Sequence, residues 1–125
     1  MNTRTAVASS ITAELLLDVF DLPVSFHRCL VPITGGVTAA LMLSQAIWTT
    51  QTIEPAANGW FCKSQDQWTD ETGLTRWEQE TARRALRSAG FVEEMRVGMP
   101  AKLLFRVRPD AVWRALKTHS AELRR

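Results

Sequence analysis

The sequence predicts an α+β chain, mainly helical, in which two short capped helices flank a tight turn and a two-stranded hairpin follows. Two observations carry this. In KSQDQWTDETGLTRWEQETARRALRSAG, Lys63 to Gly90, Ser64 stands three residues before Gln67, and Thr75 three before Glu78. At that spacing a cap hydroxyl and the third helical residue satisfy each other's backbone donors. After Gly90 the apolar period changes from 3.6 to 2, in FVEEMRV and then KLLFRVR, which is the pattern of strands. With 125 residues, 46% of them apolar and 22% charged, one domain with an adequate core is expected.

Taken in order, ITAELLLDVFDL at residues 11–22 reads as a short helix ended by Pro23. VSFHRCLV, Val24 to Val31, alternates loosely between Pro23 and Pro32, so a short strand is expected there. A long helix is expected from Val37 to Ile53, with Val37, Ala40, Leu41, Ser44, Ile47 and Trp48 on one face. Pro55 and Asn58-Gly59 close it. Gly59-Trp60-Phe61-Cys62 has the length of one strand. Trp68 anchors the first capped helix, Gly73 ends it, and Leu74 plugs the space between the pair. The second capped helix has a thin apolar face of Ala82, Ala85, Leu86 and Ala89, and Gly90 terminates it.

In the hairpin, Gly98-Met99-Pro100-Ala101 makes the turn. Leu103, Phe105 and Val107 point one way, and Lys102, Arg106 and Arg108 the other. Pro109 suits the first position of a last helix and Asp110 its positive end. Val112, Trp113, Leu116, Ser120 and Leu123 give that helix an apolar stripe. Trp48, Trp60 and Trp68 are expected to pack in the core, and Trp77 to cover the turn rather than face a ligand.

Charge is divided unevenly. Residues 1–75 hold three Lys or Arg against seven Asp or Glu, and residues 76–125 hold twelve against six. A basic second half points towards a polyanion. No run of eighteen apolar residues exists, so no membrane span is expected. Glu14 and Asp18 interrupt the apolar N-terminal patch, so no secretory signal is expected either. Cys29 and Cys62 have no metal-ligand spacing, and two reduced, buried thiols in a cytoplasmic protein are expected.

Catalysis finds little support. His27 and His119 lie far apart, without a carboxylate or thiol companion in sequence. Gly35-Gly36 is followed by no Lys-Ser/Thr at phosphate-loop spacing. Glu93 and Glu94 are adjacent in a strand, so their side chains point to opposite faces and cannot share a substrate. No enzyme, cofactor, metal or small-molecule ligand is expected.

Helix, short strand, long helix, capped helix pair and hairpin is the order of a winged helix-turn-helix. Here that unit carries an extra N-terminal helix and strand and a C-terminal helix. ALMLSQAIW, the stretch GWFCKSQDQWTDETGLTRWEQETARRALRSAGFVEE and GMPAKLLFRV resemble winged-helix proteins of phages, plasmids and integrative elements, of the replication-initiation and regulatory type. The specific parts are the GWF strand, the W-x-x-x-T-G-L-[ST]-R turn and the G-x-P-A wing. The resemblance covers residues 34–108, leaving 1–33 as a possible dimerisation arm and 109–125 as the last helix.

The resemblance implies a sequence-specific double-stranded DNA-binding protein, a transcriptional regulator or origin-binding factor of a mobile element. The alternative is a winged-helix adaptor or inhibitor that binds protein instead. In this architecture the first turns of the second helix enter the major groove. Thr75, Arg76, Gln79 and Arg83 are then expected near base edges, where Arg suits guanine and Gln suits adenine. Arg84 and Arg87 are expected at phosphates. Ser64 and Gln65 at the start of the first helix, and Arg96 and Lys102 beside the wing tip, complete the expected interface. Glu80 on the same stripe complicates it, unless it pairs with Arg76, Arg83 or Arg84 or accepts from a cytosine amine. The apolar terminal helices are expected to form a homodimer seam.

Overall fold

Thr12 accepts a hydrogen bond from the Leu15 N–H and so starts the first helix, α1 (Ala13–Val19). The computed structural model describes residues 10–124. Residues 1–9 of the expected N-terminal arm, and Arg125, lie outside the described residues. None of α1's residues is buried.

The strand expected over Val24–Val31 is not formed. The chain instead enters a 3-10 turn at Arg28–Leu30 and passes directly into α2 (Val31–Thr34). Pro32 decides this locally. It lies in the first turn of α2, where its missing N–H has no helical partner to lose. Leu30 enters the core, and the Thr34 hydroxyl donates to its carbonyl at 2.7 Å.

The long helix α3 (Val37–Thr52) forms with nearly the expected bounds, but it is turned differently. Ala39, Ala40, Met42, Leu43, Ser44, Gln45 and Ala46 are buried, whereas Val37 and Trp48 are exposed. Apolar residues lie all round this helix, so its periodicity does not select a face. Its alanines allow close approach, and its main packing partner is the second capped helix.

A second 3-10 turn, Pro55–Ala57, leads to β1 (Trp60–Cys62). Gly59 has φ +86°, a conformation that favours glycine, and a Cβ there would sit 3.2 Å from the Arg106 side chain, which would have to shift by a few tenths of an ångström. The capped helices are α4 (Gln65–Thr72) and α5 (Arg76–Ala89), followed by β2 (Val92–Val97), β3 (Lys102–Val107) and α6 (Pro109–Leu123). The three strands make one antiparallel sheet in the order β1-β3-β2, with Phe61 opposite Phe105 and Glu94 opposite Phe105 on the other side.

Phe61, Trp68 and Phe105 form the aromatic centre of the core, with ring centroids 5.5–6.3 Å apart. Of the three tryptophans expected inside, only Trp68 is buried; Trp60 is half-buried under the Arg106 guanidinium, 4.7 Å from its ring. Both cysteines are free, as expected, but exposed rather than buried. Cys62 follows the buried Phe61 in β1, and strand alternation turns it outward. Among the described residues, no single helix is long and apolar enough to cross a membrane.

Candidate nucleic-acid interface

α4 and α5 are joined by Gly73, Leu74 and Thr75. Gly73 takes φ +77° and donates its N–H to the Thr69 carbonyl at 2.8 Å, and Leu74 is buried between the helices. Both expected capping boxes are present. Ser64 Oγ accepts from the Gln67 N–H at 3.1 Å, and Thr75 Oγ1 from the Glu78 N–H at 3.2 Å. In return Glu78 accepts from the Thr75 N–H, which holds its carboxyl below the ordinary glutamate range. Ser64 and Thr75 remain exposed at their helix starts.

Gln79 is not at the surface. It is 2% exposed, and its Nε2 donates to the Thr69 hydroxyl at 2.9 Å and to the carbonyls of Gln65 and Leu74 at 3.1 Å. The side chain locks α5 to α4 and to the turn. It therefore has no free amide for adenine in this structure, which corrects the sequence expectation. The signal was present: Gln79 lies three residues before Ala82 and seven before Leu86, the two apolar residues that α5 buries. Ala89, expected on that face, is exposed instead.

Arg83 and Arg87 are also engaged. Arg83 donates bidentately to Glu94, through Nε at 2.8 Å and Nη2 at 2.9 Å, and Arg87 Nη1 reaches the same carboxylate at 3.0 Å. The Glu94 side chain is only 7% exposed. Hydrogen bonding to Glu94 raises the Arg83 pKa further. These contacts clamp α5 to β2, so the expected base and phosphate roles of Arg83 and Arg87 compete with a structural one.

Glu93 faces the other way. It pairs with Arg106 at 3.1 Å and with Arg108, so the two adjacent glutamates serve opposite faces of the sheet. Hydrogen bonds from Arg108 first, and then Arg106, hold Glu93 below its ordinary pKa. A lowered folded-state pKa contributes stability above the unfolded value, and that contribution fades as pH falls through the folded one. The stability difference between wild type and Glu93→Gln, measured by denaturant titration, should therefore shrink below about pH 4.

Four expected cations remain available. Arg76, Arg84, Arg96 and Lys102 are exposed and make no ion pair among the described residues. A cleft of about 490 Å³ separates the hairpin from the start of α4, and Ser64, Gln65, Arg96 and Lys102 line it together with the engaged Gln79 and Arg83. Thr75, Arg76 and Arg84 lie outside that cleft, on α5. Trp77 is 78% exposed beside Arg76 and does not cover the turn, which corrects another expectation. Glu80 is exposed on the same helix and acts electrostatically on Arg83.

Lys63, in the cleft wall, went unread in the sequence. It is buried, donates to Glu71 at 2.6 Å and Thr49 at 2.7 Å, and lies 4.7 Å from the Trp68 ring. Its charge is spent within the fold. Compared with protein-family models, with curated proteins and with solved structures, the chain finds no match.

Proposed function

We propose that this chain is a winged helix-turn-helix protein that binds double-stranded DNA sequence-specifically in the cytoplasm. Within that reading it is a transcriptional regulator or origin-binding factor of a mobile genetic element. α4 and α5 are the helix pair, α5 is the reading helix and the β2–β3 hairpin is the wing. The observation that carries this is the set of uncommitted cations: Arg96 and Lys102 on the hairpin beside the α4 start, and Arg76 and Arg84 exposed on α5. The mobile-element assignment rests on the resemblance of residues 34–108 alone. Catalysis has no part in the proposal.

With three or four phosphate contacts per protomer, log K should fall with log salt at a slope of about −3 to −4. A fluorescence-anisotropy titration of labelled duplex across salt concentrations measures it. A flat response, or no retention by pooled duplexes at low salt, favours the second reading, a protein-interaction module. One observation speaks for that reading: Arg83 and Arg87 are already matched to Glu94.

Arg76 separates reading from anchoring. Arg76→Ala should cost about 1–3 kcal/mol on the best site and much less on scrambled duplex. Lys102→Ala should weaken both about equally and flatten the salt slope by about one unit. If Lys102→Ala alters the specificity ratio while Arg76→Ala leaves it alone, the hairpin is the reader and α5 is not.

A further inference from the structure

We propose that α1 of one copy seats in the groove between α3 and α6 of a second copy, giving a dimer with exchanged arms. The groove has a volume of about 270 Å³ and is walled by Ile47, Val107, Pro109, Val112, Trp113 and Leu116. Trp113 stands 62% exposed on its rim. α1 offers the matching shape: Leu15, Leu16, Val19 and Phe20 are all exposed, at the one- and four-residue spacings that make a helical face. Neither apolar surface is covered by another element among the described residues, and together they are larger than isolated surface residues would be.

Charge selects the pairing. Residues 10–24 contain Glu14, Asp18 and Asp21 and no Lys or Arg. Glu14 and Asp18, four apart, edge the apolar face of α1. On the groove side, Lys117 lies 6.0 Å from the Trp113 ring and makes no ion pair among the described residues. An acidic helix beside the unpaired Lys117 favours this docking over α1 meeting another α1, which would bring like charges together.

Position separates the second copy from the same chain. The segment after α1, Asp21–Ser25, lies beside Gln45 and Trp48 of α3. The groove opens along Ile47 and Gln51, a different face of that helix. The chain leaves α1 on that other face, which favours the groove of a second copy over its own. Reciprocal exchange uses both surfaces on both copies, so every contact occurs twice.

Sedimentation equilibrium of the full chain at roughly 50 μM, well above a micromolar dissociation constant, should report a dimer without DNA. Phe20→Asp and Trp113→Asp alter exposed positions, so each should keep its circular dichroism spectrum and weaken the dimer about tenfold or more. Asp18→Lys and Lys117→Glu should each weaken it more mildly, about threefold. Mixing those two charge variants should restore wild-type association, because one contact is then native and the other charge-reversed. A monomeric full chain, a dimer that survives both Phe20→Asp and Trp113→Asp, or charge variants that gain nothing on mixing would each overturn the exchange. None of these assays contains DNA, so failure here leaves the DNA-binding proposal to its own test.

Discussion

Replacing Gln79 by Ala should lower the melting temperature by about 10 °C, a larger effect than its nominal place on a reading helix suggests. The amide donates to three acceptors, the Gln65 and Leu74 carbonyls and the Thr69 hydroxyl. Truncation removes these contacts, at about 0.5–1.5 kcal/mol each, although the Leu74 carbonyl keeps the Thr69 hydroxyl as a donor. It also opens a void in a place where α4, α5 and the turn converge. A total of about 2–4 kcal/mol follows, and at this chain length each kcal/mol moves the melting point by roughly 3–5 °C. Gln79→Met keeps the volume and not the donors, so it should recover only the packing part. Thermal unfolding followed by circular dichroism measures both variants. Should Gln79→Ala melt with wild type yet change the preferred DNA sequence, the buried position is not the working one and the side chain reads bases after all.

What could be read in advance was local. Ser64–Gln67 and Thr75–Glu78 depend on atoms three residues apart, and both capping boxes appear where the spacing puts them. The hairpin likewise follows from alternation and turn residues within one short stretch. Features that depend on a partner were harder to read. Pro32 can end a strand or open a helix, and only the burial of Leu30 and the Thr34 contact favour the second. The small, apolar α3 offers several faces, and the one it buries is decided by packing on α5. Trp48, Trp60 and Trp68 look alike in sequence but have very different exposure, because only Trp68 meets Phe61 and Phe105.

The candidate site divides along the same line. That α5 is rich in arginine is visible in the sequence, but which arginines are free is not. Arg83 and Arg87 lie on the side of α5 that meets β2, and Glu94 reaches both. Arg76, two turns before Arg83 on nearly the same side of α5, and Arg84, the residue after Arg83, are both exposed and make no ion pair among the described residues. A contact between residue 83 and residue 94 needs the helix packed on the hairpin before it has meaning. Helical periodicity alone did hold one clue, since Gln79 shares the face of Ala82 and Leu86.

Removing the carboxylate of Glu94 should change stability and DNA binding in opposite directions. Taking one partner from a buried pair strands the other charge, and such losses reach about 3–5 kcal/mol. Arg83 is partly accessible and Arg87 about half so, which lets both turn towards water. The expected cost of Glu94→Ala is accordingly about 2–3 kcal/mol, with Glu94→Gln retaining part of the bonding and losing less. The same change releases two guanidinium groups and deletes an anion beside the proposed interface. Affinity for random duplex should then rise, and the salt slope should steepen by up to about two units, one for each freed cation that meets a phosphate. Denaturant unfolding supplies the first number and a salt titration with scrambled duplex supplies the second. A stable Glu94→Ala variant would mean the three-residue clamp carries no weight in the fold. A destabilised variant whose salt slope does not move would mean that Arg83 and Arg87, even when free, do not face the duplex, and the docking of α5 on DNA would have to be redrawn around Arg76 and Arg84 alone.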